Sequence, residues 1–407
     1  MKFKKLIGQI HLWLGLASGL VVFVLGVTGC LMAFEDELKL FFYADKLKVE
    51  VPKGAEVLPM NQLLEIAQKA VGEEIPIERI HLENQPDRSF TFWNYTRKKE
   101  SEGLWYWDAW ETAVHVHVNP YTGEVLAVED RLFEFFFIVL ELHVHLLLDS
   151  TIGRPIISWS TVIFVILLIS GLVLWWPKTK KALKVNTWFR WKSTTKWKRK
   201  NYDLHNILGF YSLFFALFIA LTGLVWSFSW FNKSVQWVAN GGKHVKRKRT
   251  VYKSTIPDEE TKIAFNEVYE ALKAKHPNER TYQIYIPKDS TSAILSRVMG
   301  YERSPAFAYY YFDQYSGQLL GDSYWKDYPT GEKVRSYNYD IHTGRIGGTI
   351  GKLIAFLVSF VAATLPVTGF YIWWERTKRA RKHRQRQTAN LKKRDIRPTL
   401  PTRVGTK

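Results

Sequence analysis

Four apolar runs, at 6–34, 155–176, 204–231 and 350–374, decide what this 407-residue chain can become. Each is near or above the ~20 residues a helix needs to cross about 30 Å of hydrocarbon. Bilayer-spanning helices are therefore expected, since inside lipid every backbone polar group must be satisfied within the span. The second and fourth runs end in Trp175-Trp176 and Trp373-Trp374, indole pairs of the kind that settle at headgroup level, and basic residues follow both.

The net charge of +19 is unevenly spread. Lys2 to Lys5 holds 3 basic residues, Lys178 to Lys200 holds 10 and Arg376 to Lys407 holds 13, with almost no acid among them. All three segments abut apolar runs, so they read as cytoplasmic anchors under the positive-inside rule, with both termini cytoplasmic. Topology and lipid contact account for the charge, and no nucleic-acid partner is expected. The single Cys30 excludes an intrachain disulfide or a CxxC redox centre. Val27-Thr28-Gly29-Cys30 has the form of a lipoprotein cleavage box, but the apolar run is long for a signal and Thr-Gly recurs at Thr222-Gly223. An uncleaved first helix is the expectation.

The chain also repeats itself. His11-x3-Gly15-x12-Thr28-Gly29 returns 194 residues later as His205-x3-Gly209-x12-Thr222-Gly223, and Tyr121-Thr122-Gly123 returns at the same offset as Tyr315-Ser316-Gly317. Ser170-Gly171 with Trp175-Trp176 recurs as Thr368-Gly369 with Trp373-Trp374. The expected architecture is a membrane α-helical protein: a four-helix transmembrane bundle built from a tandem two-helix repeat, with two small α+β periplasmic domains. An even number of spans per repeat sets the halves parallel, about a pseudo-twofold axis along the membrane normal. The boundaries read as helix one at 1–34, a first outer domain at 35–150 ending in an interfacial helix, helix two at 151–177, a basic loop at 178–203, helix three at 204–231, a second outer domain at 232–349, helix four at 350–375 and a basic tail at 376–407. The loop and tail are too basic and too poor in large apolar groups to fold on their own.

Within the outer segments, apolar residues every three or four positions predict helices over Met60 to Val71 and Ala264 to Lys275. Alternating or aromatic runs at Ser89 to Tyr95, Ala113 to Val118 and Ala306 to Phe312 predict strands, and the Tyr-Thr-Gly and Tyr-Ser-Gly elements predict tight turns. Phe92 to Tyr95 and Trp105 to Trp107 read as sheet core and membrane-edge anchors, with a docking surface as the alternative.

An imidazole inside a bilayer is costly unless something binds it. His11 and His205 stand at matching depths of runs one and three, with Gly15 and Gly209 one turn along, and neutral imidazole is an axial ligand for haem iron. The candidates at the other ends are His143, His145 and His342. On a helix over Leu132 to Leu148, His143 shares the apolar face, whereas His145 can pair with Glu141 at i, i+4. His143 is favoured, with His145 as the alternate. Asp203 and Asp340, each two residues before a histidine, read as helix N-caps. Arg154 and Lys352, at the outer membrane edge, could meet haem propionates or simply snorkel. His115 and His117 read as an exposed strand face; with Asp108 and Glu111 they could instead bind a metal. His11 with His205, and His143 with His342, would then sandwich two b-type haems in two layers.

In their order and duplication these motifs resemble the PepSY-associated transmembrane helix family, known from iron-regulated inner-membrane proteins and siderophore reductases. The resemblance is carried by the two His-x3-Gly elements, Leu142-His143 before Gly153-Arg154, Ile341-His342-Thr343-Gly344, the Gly-x3-Trp-Trp ends and the two Tyr-[Thr/Ser]-Gly turns. It implies an oxidoreductase that takes electrons from quinol or a cytoplasmic flavoprotein through haem b to a periplasmic ferric siderophore or other ferric chelate, releasing ferrous iron. Two other classes compete with it: a non-haem sensor or peptidase regulator, and an iron or siderophore transporter.

Overall fold

The computed structural model describes residues 2–395 apart from 102, 246, 248, 249, 260 and 301–306. Ala306 and the last part of the basic tail, 396–407, lie outside the described residues. Four helices are long and apolar enough to cross a membrane: Phe3–Ala33, Ser150–Trp175, Trp197–Ser227 and Arg345–Thr388. The first packs on the second and fourth, and the third does likewise. Helices one and four approach closely because Gly26 lacks a side chain: a Cβ there would lie 2.6 Å from the backbone nitrogen of Ala363.

The basic segments are more ordered than their composition predicts. The loop carries a helix over Lys180–Asn186, and the third long helix begins inside it at Trp197. The fourth runs on as helix to Asp395. Trp175 anchors the loop by donating from its indole to the Asn186 carbonyl at 3.2 Å, a partner that charge counting does not see.

Outside the spans, eight strands form one antiparallel sheet: β1 Arg79–Glu83, β2 Phe90–Arg97, β3 Trp110–Val118, β4 Val125–Asp130, β5 Thr281–Tyr285, β6 Ile294–Met299, β7 Phe307–Phe312 and β8 Leu319–Tyr324. Their order is β4-β3-β2-β1-β5-β6-β7-β8, so each outer segment supplies four strands and β1 meets β5 at a central seam. Five residue pairs register there, from Arg79 opposite Tyr285 to Glu83 opposite Thr281.

Period-two alternation divides the sheet. Ile80, Leu82, Phe92, Val116, Ile284 and Tyr310 face one way and pack with Leu63 of the helix Met60–Val71 and Leu272 of the helix Phe265–Lys275. A fully buried side chain of this size contributes on the order of 2–3 kcal/mol. The hairpin turns need Gly123 and Gly317, at φ 74° and 68°, where a Cβ would be strained. Asn119 and Asp313 support those turns by accepting from the Tyr121 and Tyr315 amides at 2.9 and 3.0 Å.

The opposite face of the sheet looks toward the membrane-side helices across a cavity of about 1480 Å³. Two short helices connect this layer to the spans, Phe135–His145 before the second and Thr330–His342 before the fourth. The first stops at His145, short of the expected Leu148, because Leu146 and Leu147 turn left-handed at φ 56° and 61°. That turn reverses the chain, and Gly153 completes it by seating directly on the His145 carbonyl, where any Cβ would collide at 1.8 Å. Gly351 seats on the Gly344 carbonyl in the same way.

Candidate functional site

The four favoured histidines meet as two pairs. His11 on the first helix faces His205 on the third with ring centroids 6.5 Å apart and planes at 89°. His143 and His342, at the ends of the two short helices, face each other at 6.1 Å and 76°. His205 is carried on a π-turn over Leu204–Leu208, an irregularity often found where a helix must aim a functional side chain. Imidazoles bound on opposite sides of one metal, with bonds of about 2 Å and ring centres about 1 Å beyond each nitrogen, would stand about 6 Å apart.

Each ring is held by a hydroxyl of its own half of the chain. Nδ1 of His11 lies 2.9 Å from Ser170 Oγ, that of His205 2.9 Å from Thr368 Oγ1, that of His143 2.8 Å from Thr28 Oγ1 and that of His342 2.9 Å from Thr222 Oγ1. A hydroxyl has one proton, and each of these donates it to a carbonyl of its own helix: Leu167, Thr364, Val24 and Ile219 respectively. With the hydroxyl protons so placed, each hydroxyl accepts from Nδ1–H, which in the neutral ring leaves Nε2 with a free lone pair. The Ile219 carbonyl, an acceptor only, lies 3.0 Å from His342 Nδ1 and requires the same tautomer. Four neutral imidazoles with Nδ1 protonated and Nε2 bare are what axial ligation of a haem iron asks for, with the orienting second shell that metal-bound histidines use.

A glycine follows each hydroxyl, and a Cβ on Gly29, Gly171, Gly223 or Gly369 would stand 3.8, 3.4, 3.7 or 3.3 Å from the Cε1 of the ring concerned. The repeated [Ser/Thr]-Gly dipeptide thus has a physical meaning the sequence did not reveal: the hydroxyl orients a ring, and the glycine backbone runs beside that ring, most tightly at Gly369. Gly15 and Gly209 contribute differently, lining a cavity of about 800 Å³ around His11 and His205. Lys4, Lys5 and Arg376 stand on its wall as well.

His145 is turned elsewhere, its Nδ1 2.7 Å from Glu141 Oε2. Arg154 donates to the Trp226 carbonyl at 2.7 Å, and Lys352 is engaged by Glu37 at 2.8 Å. Asp203 does not cap a helix: it accepts from Trp191 Nε1 and Arg199 Nε, both at 3.0 Å. Asp340 lies within the helix Thr330–His342.

The sheet-side cavity reaches the second histidine pair through Trp226, which lines it and contacts His342 edge-on at 5.1 Å. On the sheet wall His81, Trp93 and His115 stack with centroids 4.7 and 4.8 Å apart. His115 and His117, expected on an exposed face, are only 8% and 3% accessible, and the carboxylate they approach is Glu129 of β4 instead of Asp108 or Glu111. Burial, then the charges of Arg131 and His117, push the His115 imidazole well below its ordinary range. Burial, with Arg280 and Arg79, takes His81 to about 4. Burial pushes Glu129 upward, but His117, Lys46 and Arg131 outweigh it and hold the carboxyl at about 2. Trp93 and Tyr95 face this cavity, whereas Phe92 belongs to the sheet core. Neither Glu129 nor His81 was legible as a site residue, because no local spacing ties them to His115.

Four membrane-length apolar helices beneath one antiparallel sheet define a polytopic membrane protein with a single extramembrane layer. The model of the PepSY-associated TM region matches residues 9–376, and the chain belongs to that family. No curated protein matches the chain.

Proposed function

We propose that this protein is a dihaem inner-membrane reductase of ferric chelates, ferric siderophores in particular. The observation that carries the reading is the fourfold hydroxyl–imidazole arrangement, which sets two pairs of rings with centroids 6.5 and 6.1 Å apart and a hydroxyl at each Nδ1. His11 with His205, and His143 with His342, would hold one haem b each. Haem held there supplies one-electron redox chemistry at two depths. On helix one, His11 and the Thr28 that orients His143 are 17 residues apart, as are His205 and Thr222 on helix three; at 1.5 Å per residue this is about 25 Å along each helix.

The basic segments favour a cytoplasmic position for both termini, which puts the sheet in the periplasm and the His11–His205 pair on the side of a quinol or flavoprotein donor. The two identical sets of contacts, and a strand order symmetric about the β1–β5 seam, support reading the chain as a tandem repeat about a pseudo-twofold axis. On the sheet side, ten lining cations stand against six carboxylates among the described residues, so the cavity suits an anionic ferric chelate. Arg297 reaches it with a buried Nε that no group among the described residues accepts. A sensor or a transporter gives the paired imidazoles no task.

The test is an absorption spectrum of the purified chain. Dithionite reduction should give the sharp α-band of low-spin haem b, with two haems per chain by pyridine haemochrome, and His11→Ala and His205→Ala should each abolish the same one. A colourless protein overturns the proposal.

A further inference from the structure

The wall of the sheet-side cavity carries donor atoms that the histidine pairs do not use. His115 and His117 project from the same face of β3, and Glu129 stands opposite His115 on β4. His115 Nδ1 and His117 Nε2 both lie 3.9 Å from one atom, Glu129 Oε2, and the three donors fall within 4.8 Å of one another. At 3.9 Å neither contact is a hydrogen bond. His117 is 3% exposed, and its Nε2 has no hydrogen-bond partner among the described residues. Buried imidazole nitrogens are rarely left so, and this one stands 3.9 Å from a carboxylate oxygen, a gap wide enough to take a cation between them.

The surroundings fit a metal. The other nitrogen of each ring is occupied by a hydroxyl, His115 Nε2 by Tyr95 at 2.8 Å and His117 Nδ1 by Thr91 at 3.3 Å, as second-shell groups hold metal-bound histidines. Lys46 takes the other carboxylate oxygen, Oε1, and leaves Oε2 toward the rings. Arg131, 3.7 Å from Oε2, is engaged by Glu134. Metal–ligand bonds of about 2.0–2.2 Å need donors roughly 3 Å apart, which rotation of these side chains by under about 1 Å supplies. Two imidazoles and a carboxylate suit first-row transition cations, whereas magnesium and calcium prefer all-oxygen sites.

We propose that His115, His117 and Glu129 bind one divalent first-row transition cation, and that ferrous iron is its occupant. The choice of iron rests on the reductase reading, which delivers Fe²⁺ into this same cavity; the site itself does not depend on it.

Cobalt(II) is the probe. Anaerobic equilibrium dialysis of the full chain in detergent should give one Co²⁺ per chain attributable to the cluster, with visible d–d absorption. His117→Gln and Glu129→Gln should each weaken that binding at least tenfold while the haem α-band stays unchanged, which shows that the variants fold. Because Fe²⁺ stands below Co²⁺ in the affinity order of divalent metals, a large excess of Fe²⁺, about a thousandfold, is the competitor, and it should displace the cobalt. Equal Co²⁺ binding by wild type and both variants overturns the site, and failure of Fe²⁺ to displace overturns the iron assignment. A colourless protein that still binds Co²⁺ at the cluster sinks the reductase reading and with it the choice of iron, but leaves the site standing; a haem-loaded protein that does not bind it does the reverse.

Discussion

A hydroxyl helps to decide which nitrogen of each paired histidine can serve as a ligand. The proton of Thr222 goes to its own helix, so its oxygen accepts from His342 Nδ1–H alongside the Ile219 carbonyl. Thr222→Val and Ser170→Ala remove that acceptor without touching a ligand, and outer-shell partners of this kind are worth about 10–100-fold in metal affinity. Each variant should lose haem from one layer about tenfold faster to a haem-scavenging protein, Thr222→Val from the His143–His342 layer and Ser170→Ala from the His11–His205 layer, while Thr222→Ser retains it. Equal retention by Thr222→Val and wild type would remove the hydroxyl from the site. His11 and His205 were legible because identical spacing placed them at matching depths, whereas His143 and His342 agreed in spacing only loosely. Their partners were not legible, since His11 and Ser170 are 159 residues apart and nothing local joins them. The ion pair of Lys352 was hidden for a related reason, its partner Glu37 lying 315 residues away.

At the scale of elements the seam between β1 and β5 is where pH should act. His81 lies on it opposite Gln283, whose amide donates to His81 Nδ1 at 3.2 Å. Burial, Arg280 and Arg79 depress its pKa to about 4, so the folded protein takes up a proton there less readily than the unfolded chain. The stability this group allows is complete above about pH 6.5 and declines as pH falls toward 4, by up to about 3 kcal/mol. Thermal unfolding should show a fall in melting temperature over that window, and His81→Asn should lessen it, leaving the share of the likewise depressed His115; a wild-type curve flat from pH 7 to 4 would contradict the assignment. Local periodicity predicted the helix Met60–Val71 to the residue, and placed β2, β3 and β7 within a few residues. It could not foresee that the two outer segments share one sheet, because alternation says which face of a strand is buried and never which strand comes next to it.

For the molecule as a whole, under the proposed reductase function the excess of cations around the sheet-side cavity would set a preference among chelates. A negatively charged ferric complex should be reduced with a lower KM than a cationic one of similar size, and the difference should shrink as ionic strength rises. Arg297→Gln should raise KM for the anionic complex severalfold and leave the haem spectrum as it was; identical KM values for both complexes would refute the preference. The seam has a mechanical side too. A carrier that exposes its site alternately to two sides must let its halves rock, and here any rocking would have to shear five paired rungs of backbone at the β1–β5 junction. The sheet is a tie bar across the two halves. Such a frame resists a gap that opens by rocking, and an electron needs none to cross it.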